Sequence, residues 1–459
     1  MNPNSNFSQI NKLVDRFKRF AIAESGAQSL SGRASRSGAW VFGGFIIQRT
    51  LQFASNLILT RLLFPEAFGL MALASVFVVG LAMFSDLGIQ PAIIRDARGS
   101  DPIFLNTAWT IQVIRGFVLF TFGSILAYPI SIIYNQPELF QLLAVLSITP
   151  AIAGFASVKM ITAERDLDFR TVTYVQTLGQ LFMIITMIAF AYLWKSVWAL
   201  AVGNIIGMLV TVIAGHLFIQ GHHHKINLNG QHAKSLISFG KWIFLSTIVT
   251  YLGGEGLRAV QGGFISPREF GILAIAYTIA SIPLELTMKL TSSIGLPALS
   301  EAYRSDRTTV SHILHEFRKR VLFIAFVLVA TVVLVSETVV GLLYDQRYHA
   351  AGPFVVAITL SGAVSLIFAG YNNALLALGR SQTYLWMMTL SAVSRIIGLI
   401  VGFDEFGIMG MIVGIGIANI VVLVVGWLVM FQLKLLDFTL DIGSLFIILV
   451  LGGLASFVI

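Results

Sequence analysis

The 459-residue chain contains no cysteine, which excludes disulfides and thiolate metal sites. Charge is nearly as scarce. Asp, Glu, Lys and Arg make up 11% of the residues against 56% hydrophobic, and the mean hydropathy is +0.85. A water-soluble protein of this size needs far more charge to cover its surface, so the composition points to an integral membrane protein. Segments between the apolar runs are short, which leaves no room for a soluble domain, and no run has the look of a barrel strand. A membrane glycosyltransferase or polymerase would display a sizeable extracytoplasmic loop with acidic or Arg groups, and the sequence offers none. No cleavable signal is expected either, because the first apolar run starts near Gly38 and is already span-length.

What is present is a series of apolar runs of about 20 residues, each long enough to cross roughly 30 Å of hydrocarbon as a helix. They fall at 38–62, 68–93, 105–130, 140–163, 171–194, 196–220, 235–263, 271–299, 316–343, 350–378, 382–403, 407–434 and 440–459. The pattern predicts an all-α, polytopic membrane bundle of about 13 (12 to 14) transmembrane helices. The last run reaches Ile459 with no polar tail, the pattern of an odd span count or a lost fourteenth helix. Residues 1–37 are polar and basic, and Phe7, Ile10, Leu13, Val14, Phe17 and Phe20 fall at helical spacing opposite Lys12, Arg16, Lys18 and Arg19. This is an amphipathic surface helix, an anchor or an orientation signal.

The net charge of +8 reflects basic residues at the ends of runs, so membrane orientation and anionic lipid explain it better than nucleic acid does. With the N-terminus in the cytoplasm, Arg95, Arg98, Arg165, Arg170, Lys225, Lys234, Arg304, Arg307, Arg318, Lys319, Arg320, Arg380 and Lys434 fall inside. Only Arg61, Lys195, Arg268 and Arg347 fall outside, a strong positive-inside bias.

The chain also repeats itself. RLLFPEAFGLMALA from Arg61 returns as GFISPREFGILAIA from Gly263, so that Pro65, Phe68 and Gly69 recur as Pro267, Phe270 and Gly271 about 200 residues later. Gly38, Trp40 and Phe42 are echoed by Gly240, Trp242 and Phe244, and YNQP at Tyr134 by YDQR at Tyr344. Six spans separate the copies, so the halves are parallel repeats related by an axis along the membrane normal, an arrangement that holds substrate between them. The expected organisation is a cytoplasmic tail (1–37), a six-helix lobe (38–220), a cytoplasmic linker (221–234), a second six-helix lobe (235–434) and an extra helix (435–459).

FPEAFGLMALA, SPREFGILAIAY, PALSEAYR from Pro297 and ALLALGR from Ala374 together resemble the polysaccharide transporter (oligosaccharide flippase, Wzx-like) branch of the multidrug/oligosaccharidyl-lipid/polysaccharide exporter superfamily. The resemblance implies two six-helix lobes in a V around a central cavity, often with two extra C-terminal helices. It also implies transport, without catalysis, of undecaprenyl-diphosphate-linked glycans to the outer leaflet of the bacterial inner membrane, for exopolysaccharide, capsule or O-antigen. An ion-coupled multidrug or peptidoglycan-precursor exporter of the same superfamily is the alternative. Where relatives commonly carry an Asp and an Asn in the seventh span, this chain reads GGEGLRAVQGG from Gly253.

A charge at mid-bilayer costs about 2.5–3.5 kcal/mol on insertion scales, so each one needs a partner or a wet cavity. Arg49, Arg115 and Arg395 lie inside spans with no carboxylate close in sequence. They are the candidate substrate-binding residues, because guanidinium forks bind phosphate oxygens bidentately. The bland alternative pairs Arg49 or Arg115 with Asp86 across helices. Asp86, Glu255 and Glu285 are the candidate ion-coupling groups for an H+ or Na+ gradient, with no other cofactor and no metal expected. Arg258 and Lys289 stand three and four residues after Glu255 and Glu285, the spacing of paired charges on one helix face. Pro283 marks a bend or a hinge. Asp166-Leu-Asp168 and His222, His223 and His224 imitate metal motifs, but the first lacks a nucleotide fold and the second lacks converging ligands. Tyr371, Asn372 and Asn373 read as helix-packing residues. The expected partners are a polyprenyl-diphosphate-linked glycan, membrane lipids and a polysaccharide polymerase with its export machinery, and not nucleic acid.

Overall fold

The computed structural model describes residues 30–458 apart from 97, 223, 292–294, 296–298, 300–302 and 304–309. The basic tail up to residue 29, His223, Arg304, Arg307 and most of the PALSEAYR stretch lie outside the described residues. All regular structure among the described residues is helical, and ten stretches are long and apolar enough to cross a membrane. The protein is a multi-pass membrane bundle.

In chain order the helices are α1 (Leu30–Leu62), α2 (Pro65–Phe84), α3 (Ile89–Arg95), α4 (Pro102–Ile133), α5 (Pro137–Leu146), α6 (Ile148–Gly154), α7 (Lys159–Arg165), α8 (Phe169–Trp194) and α9 (Trp198–Phe218). A non-helical crossing follows, and then come α10 (Gly230–Gly253), α11 (Glu255–Phe264), α12 (Pro267–Leu290), α13 (Val310–Leu343), α14 (Ala351–Ala377), α15 (Ser381–Gln432) and α16 (Phe438–Val458). The 52-residue α15 is two antiparallel arms, because Phe406 and Gly407 leave helical geometry, with Gly407 at φ +60°. Counting both arms, together with α1 and the α10–α11 pair, the architecture is compatible with the thirteen expected spans.

Several of the expected spans are interrupted. The run at 68–93 ends as a helix at Phe84 and restarts as α3 after Gly88, whose φ of +60° turns the chain. The run at 140–163 is divided among α5, α6 and α7, and the run at 235–263 breaks at Gly254. Apolar composition alone cannot locate such breaks, because the residues on either side remain hydrophobic.

The two arms of α15 close on glycine. A Cβ on Gly398 would sit 2.3 Å from the Gly414 carbonyl oxygen, and one on Gly402 would sit 2.1 Å from that of Gly410. Small residues four apart on both arms let the backbones touch, the contact that replaces a hydrophobic driving force inside a bilayer.

The repeated motif joins the two halves. Pro65 and Pro267 occupy the first turn of α2 and α12, where a missing N–H costs nothing. Ser266 and Glu269 form a capping box that fixes the start of α12. The two helices then meet at the repeated glycines. A Cβ on Gly69 would lie 1.8 Å from the Pro267 carbonyl oxygen, and one on Gly271 would lie 1.9 Å from that of Pro65. This reciprocity is what a two-fold relation between the copies produces.

Around the contact, Arg347 donates to the carbonyls of Thr60 and Arg61 at 3.3 and 3.2 Å, and the Tyr348 hydroxyl donates to Leu63 O at 3.0 Å. The hydrogen bond from Arg347 also holds the Asp345 carboxyl below the usual carboxylate range. The echoed tyrosines both reach the other half, by different means: Tyr134 donates to Ala259 O at 2.8 Å, and Tyr344 meets Phe53 edge to face at 6.4 Å.

α16 is fastened by a buried polar knot. Arg318 and Asp441 are 2% and 0% exposed and form an ion pair. The same carboxylate accepts from Tyr371 Oη at 3.1 Å and Trp427 Nε1 at 2.7 Å, while Arg318 also donates to Ile367 O at 2.9 Å. Arg318 is therefore no cytoplasmic loop charge, as its position near a run end suggests, but a buried tie between α13 and α16.

Candidate functional site

Arg49 lies on α1 and Glu285 on α12, so the ion pair between Arg49 Nη2 and Glu285 Oε2 spans the two halves. Gln52 Oε1 accepts from Arg49 Nη1 at 2.9 Å, and Ser281 Oγ donates to Glu285 Oε1 at 3.0 Å. Both charged side chains keep about a third or more of their surface, 40% and 33%, because they border a cavity of ≈ 250 Å³. Its other walls include Phe42, Phe45 and Ile46 from α1 and Ile282 from α12. Phe42, Ile46 and Ile282 are exposed, so the pair sits in an apolar seam. Lys289, one turn beyond Glu285, places its ammonium 4.3 Å over the Phe45 ring. Glu285, four residues before Lys289 on α12, takes Arg49 of the other half as a partner.

A second cavity, of ≈ 240 Å³, opens against the opposite face of α12, where Ser281, Pro283 and Leu284 line it. It is bounded by the broken end of α10, by Glu255 and Arg258 of α11, and by Arg395 and Asn419 from the two arms of α15. Arg395 Nε donates to Asn419 Oδ1 at 2.7 Å, and its Nη1 reaches Gly253 O at 3.5 Å. Asn419 is held in turn by its own donation to Ser361 O at 2.8 Å. The Glu255–Arg258 pair forms as its spacing predicts, at 3.4 Å, with Arg258 also 5.1 Å over the Tyr277 ring. The Gly253-Gly254 break exists because Gly254 takes up φ −123°, ψ −94°, and it exposes the first turn of α11 to the cavity.

Arg115 belongs to neither cavity. It donates to Ala82 O at 2.6 Å and Ser85 Oγ at 2.9 Å, placing its charge on the last carbonyls of α2, where a cation is favoured. Asp86 lies in the turn after α2 and accepts from Gly88 N at 2.9 Å.

The decoys resolve into packing and capping. Asp168 caps α8 by accepting from Thr171. His222 contacts Asn106 at 3.1 Å and His224 contacts Ser157 at 2.9 Å, and among the described residues no group of three acidic or His ligands converges on a metal position. Tyr371 and Asn373 tie helices together, the latter by donating to Thr291 O at 2.8 Å.

A family model described as polysaccharide biosynthesis protein matches residues 58–353. The chain belongs to this family. The match spans the first copy of the motif, the α10–α11 break and the second copy. The lipopolysaccharide biosynthesis protein WzxC of Escherichia coli is 21% identical over 410 residues, covering 88% of this chain and 82% of that protein. The succinoglycan biosynthesis transport protein ExoT of Rhizobium meliloti is 20% identical over 387 residues, covering 82% and 75%. Among solved structures, the lipid II flippase MurJ in an inward closed conformation superposes with a TM-score of 0.71 at 15% identity, covering 89% of this chain and 91% of that one. An inward-facing multidrug resistance MATE transporter of the MOP superfamily gives 0.66 at 17% identity, covering 88% and 96%. These likenesses establish the fold: a family of polysaccharide-biosynthesis membrane proteins built as transporters are built.

Proposed function

We propose that this protein carries a polyprenyl-diphosphate-linked oligosaccharide from the inner to the outer leaflet of the bacterial inner membrane, for exopolysaccharide, capsule or O-antigen assembly. The observation that carries the reading is the Arg49–Glu285 pair at an apolar seam between the halves. A diphosphate offers the oxyanions that Arg49 can fork onto, and the exposed Phe42, Ile46 and Ile282 suit the isoprenoid attached to it. Residues 38–220 and 235–434 serve as the two moving lobes, with the N-terminus in the cytoplasm and the repeated motif at the outer end. The second cavity, whose largely apolar wall carries Ser361, Asn419 and Arg395, takes the glycan in this reading. Arg115, bound to the end of α2, acts by positioning that helix. A polysaccharide polymerase is the natural recipient of the cargo.

In a strain lacking this and other flippases, the Arg49→Gln protein should insert normally yet fail to restore export, and lipid-linked repeat units should accumulate on the cytoplasmic side. Export at the parental level by that variant would overturn the assignment.

A further inference from the structure

The arginines within the membrane differ in what neutralises them. Arg49 is paired with Glu285, Arg258 with Glu255 and Arg318 with Asp441, while Arg115 binds the end of α2 at 2.6 and 2.9 Å. Arg395 has neither kind of partner. Among the described residues it forms no ion pair; its Nε is bound to the neutral amide of Asn419 at 2.7 Å, and its Nη1 meets Gly253 O only at 3.5 Å, the limit of a hydrogen bond. The side chain is still held in one orientation, because Asn419 is buried and its Nδ2 donates to Ser361 O at 2.8 Å, which turns Oδ1 toward Arg395. That leaves the Nη1–Nη2 edge of the guanidinium for a ligand.

We propose that this edge binds the carboxylate of an acidic sugar, so that the repeat unit carried by this protein contains a uronic acid or another carboxylate-bearing sugar. The inference rests on the flippase reading and narrows its cargo. The charged side chains lining the second cavity are Arg258, Arg395 and Glu255, two cations against one carboxylate, so the wall carries one excess positive charge. In a largely apolar pocket that charge is costly until an anion meets it. A carboxylate matches the parallel N–H groups of a guanidinium edge, whereas a neutral sugar leaves the charge uncompensated. The cavity, at ≈ 240 Å³, is smaller than the roughly 300–1,000 Å³ of pockets that enclose drug-sized ligands, so it suits one sugar rather than a whole repeat unit. The lipid diphosphate has its own place in this reading, at Arg49 on the other face of α12. The two cavities come within one side chain of each other at Ser281, which lines the second and donates to Glu285 of the first. A glycan attached to a diphosphate at Arg49 therefore has a short path to Arg395.

The test measures binding to the purified full-length chain in lipid nanodiscs, near neutral pH, where glucuronic acid is ionised. The probes are three farnesyl-diphosphate-linked disaccharides of one length: a neutral one built from glucose and N-acetylglucosamine, and two in which glucuronic acid stands as the first or the second sugar. The diphosphate and lipid are the same in all three, so their contribution cancels in the comparison. Wild type should bind at least one acidic probe about tenfold more tightly than the neutral one, the worth of a hydrogen-bonded contact between charged groups. Arg395→Gln should bring the acidic and neutral probes to within about twofold of each other, since the charge that tells them apart is gone. Asn419→Asp, which gives Arg395 a carboxylate of its own and leaves the arginine in place, should do the same. A wild type that favours neither acidic probe, or a preference that survives in either variant, overturns the proposal. Failure of wild type to bind any of the three sinks the flippase reading itself, whereas equal binding of all three leaves that reading standing and sinks only the acidic sugar.

Discussion

Replacing Gly69 by alanine is the most direct way to ask whether the repeated motif holds the halves together. The added Cβ would stand 1.8 Å from the Pro267 carbonyl oxygen, and ordinary contact begins at 3.4 Å, so the two helices must part by about 1.6 Å at that point. The obstacle is backbone, which cannot rotate out of the way. Overpacking of this kind costs about 1–3 kcal/mol, which displaces an equilibrium between joined and parted halves roughly 5- to 150-fold. The native chain has no cysteine, so an introduced pair reports without background. Glu66 and Arg268 are suitable sites, since their charged ends lie 3.9 Å apart across the contact. In a Glu66→Cys/Arg268→Cys background, a short bismaleimide should join the pair efficiently, and adding Gly69→Ala should cut the rate at least fivefold. Gly271→Ala should do the same, because its Cβ meets Pro65 O at 1.9 Å. Undiminished cross-linking in both variants would refute the view that these glycines set the closure.

Two further changes test the supports of the fold. Asp441→Ala leaves Arg318 buried without its carboxylate and should destabilise the protein by about 3–5 kcal/mol, whereas Arg318→Met combined with Asp441→Leu should recover only part of that, because Tyr371 Oη and Trp427 Nε1 still lose their acceptor; thermal unfolding in detergent gives the answer, and equal melting of the single variant and wild type would contradict it. Gly402→Val drives a side chain toward the Gly410 carbonyl and should splay the arms of α15 at a cost of about 1–3 kcal/mol, seen as faster proteolysis at the Phe406–Gly407 turn. Wild-type resistance there would count against the seam.

The sequence by itself determined the fold class, since a chain this apolar can satisfy its backbone in a bilayer only as helices or a closed barrel, and the length of its runs selects helices. It also determined the duplication, because Pro65, Phe68 and Gly69 recur in register as Pro267, Phe270 and Gly271. The Glu255–Arg258 pair was legible for the same kind of reason, as a contact three residues apart on one helix is fixed by helical geometry. Contacts between distant segments carry no such local record. Nothing within a few residues of Arg49 indicates Glu285, nor does anything near Arg318 indicate Asp441, and an arginine that caps α2 looks in sequence like one that faces a cavity. In the sequence, Arg318 is one of several basic residues near a run end and Asp441 an acidic residue at the start of the last run, and neither reveals the tie to α16. The repeat motif shows the same division. Its residues marked the same place in each half, just after the first span, but only the packing of α2 on α12 revealed that the two glycines touch each other, because a glycine that ends a turn and a glycine that admits a neighbouring backbone are the same letter.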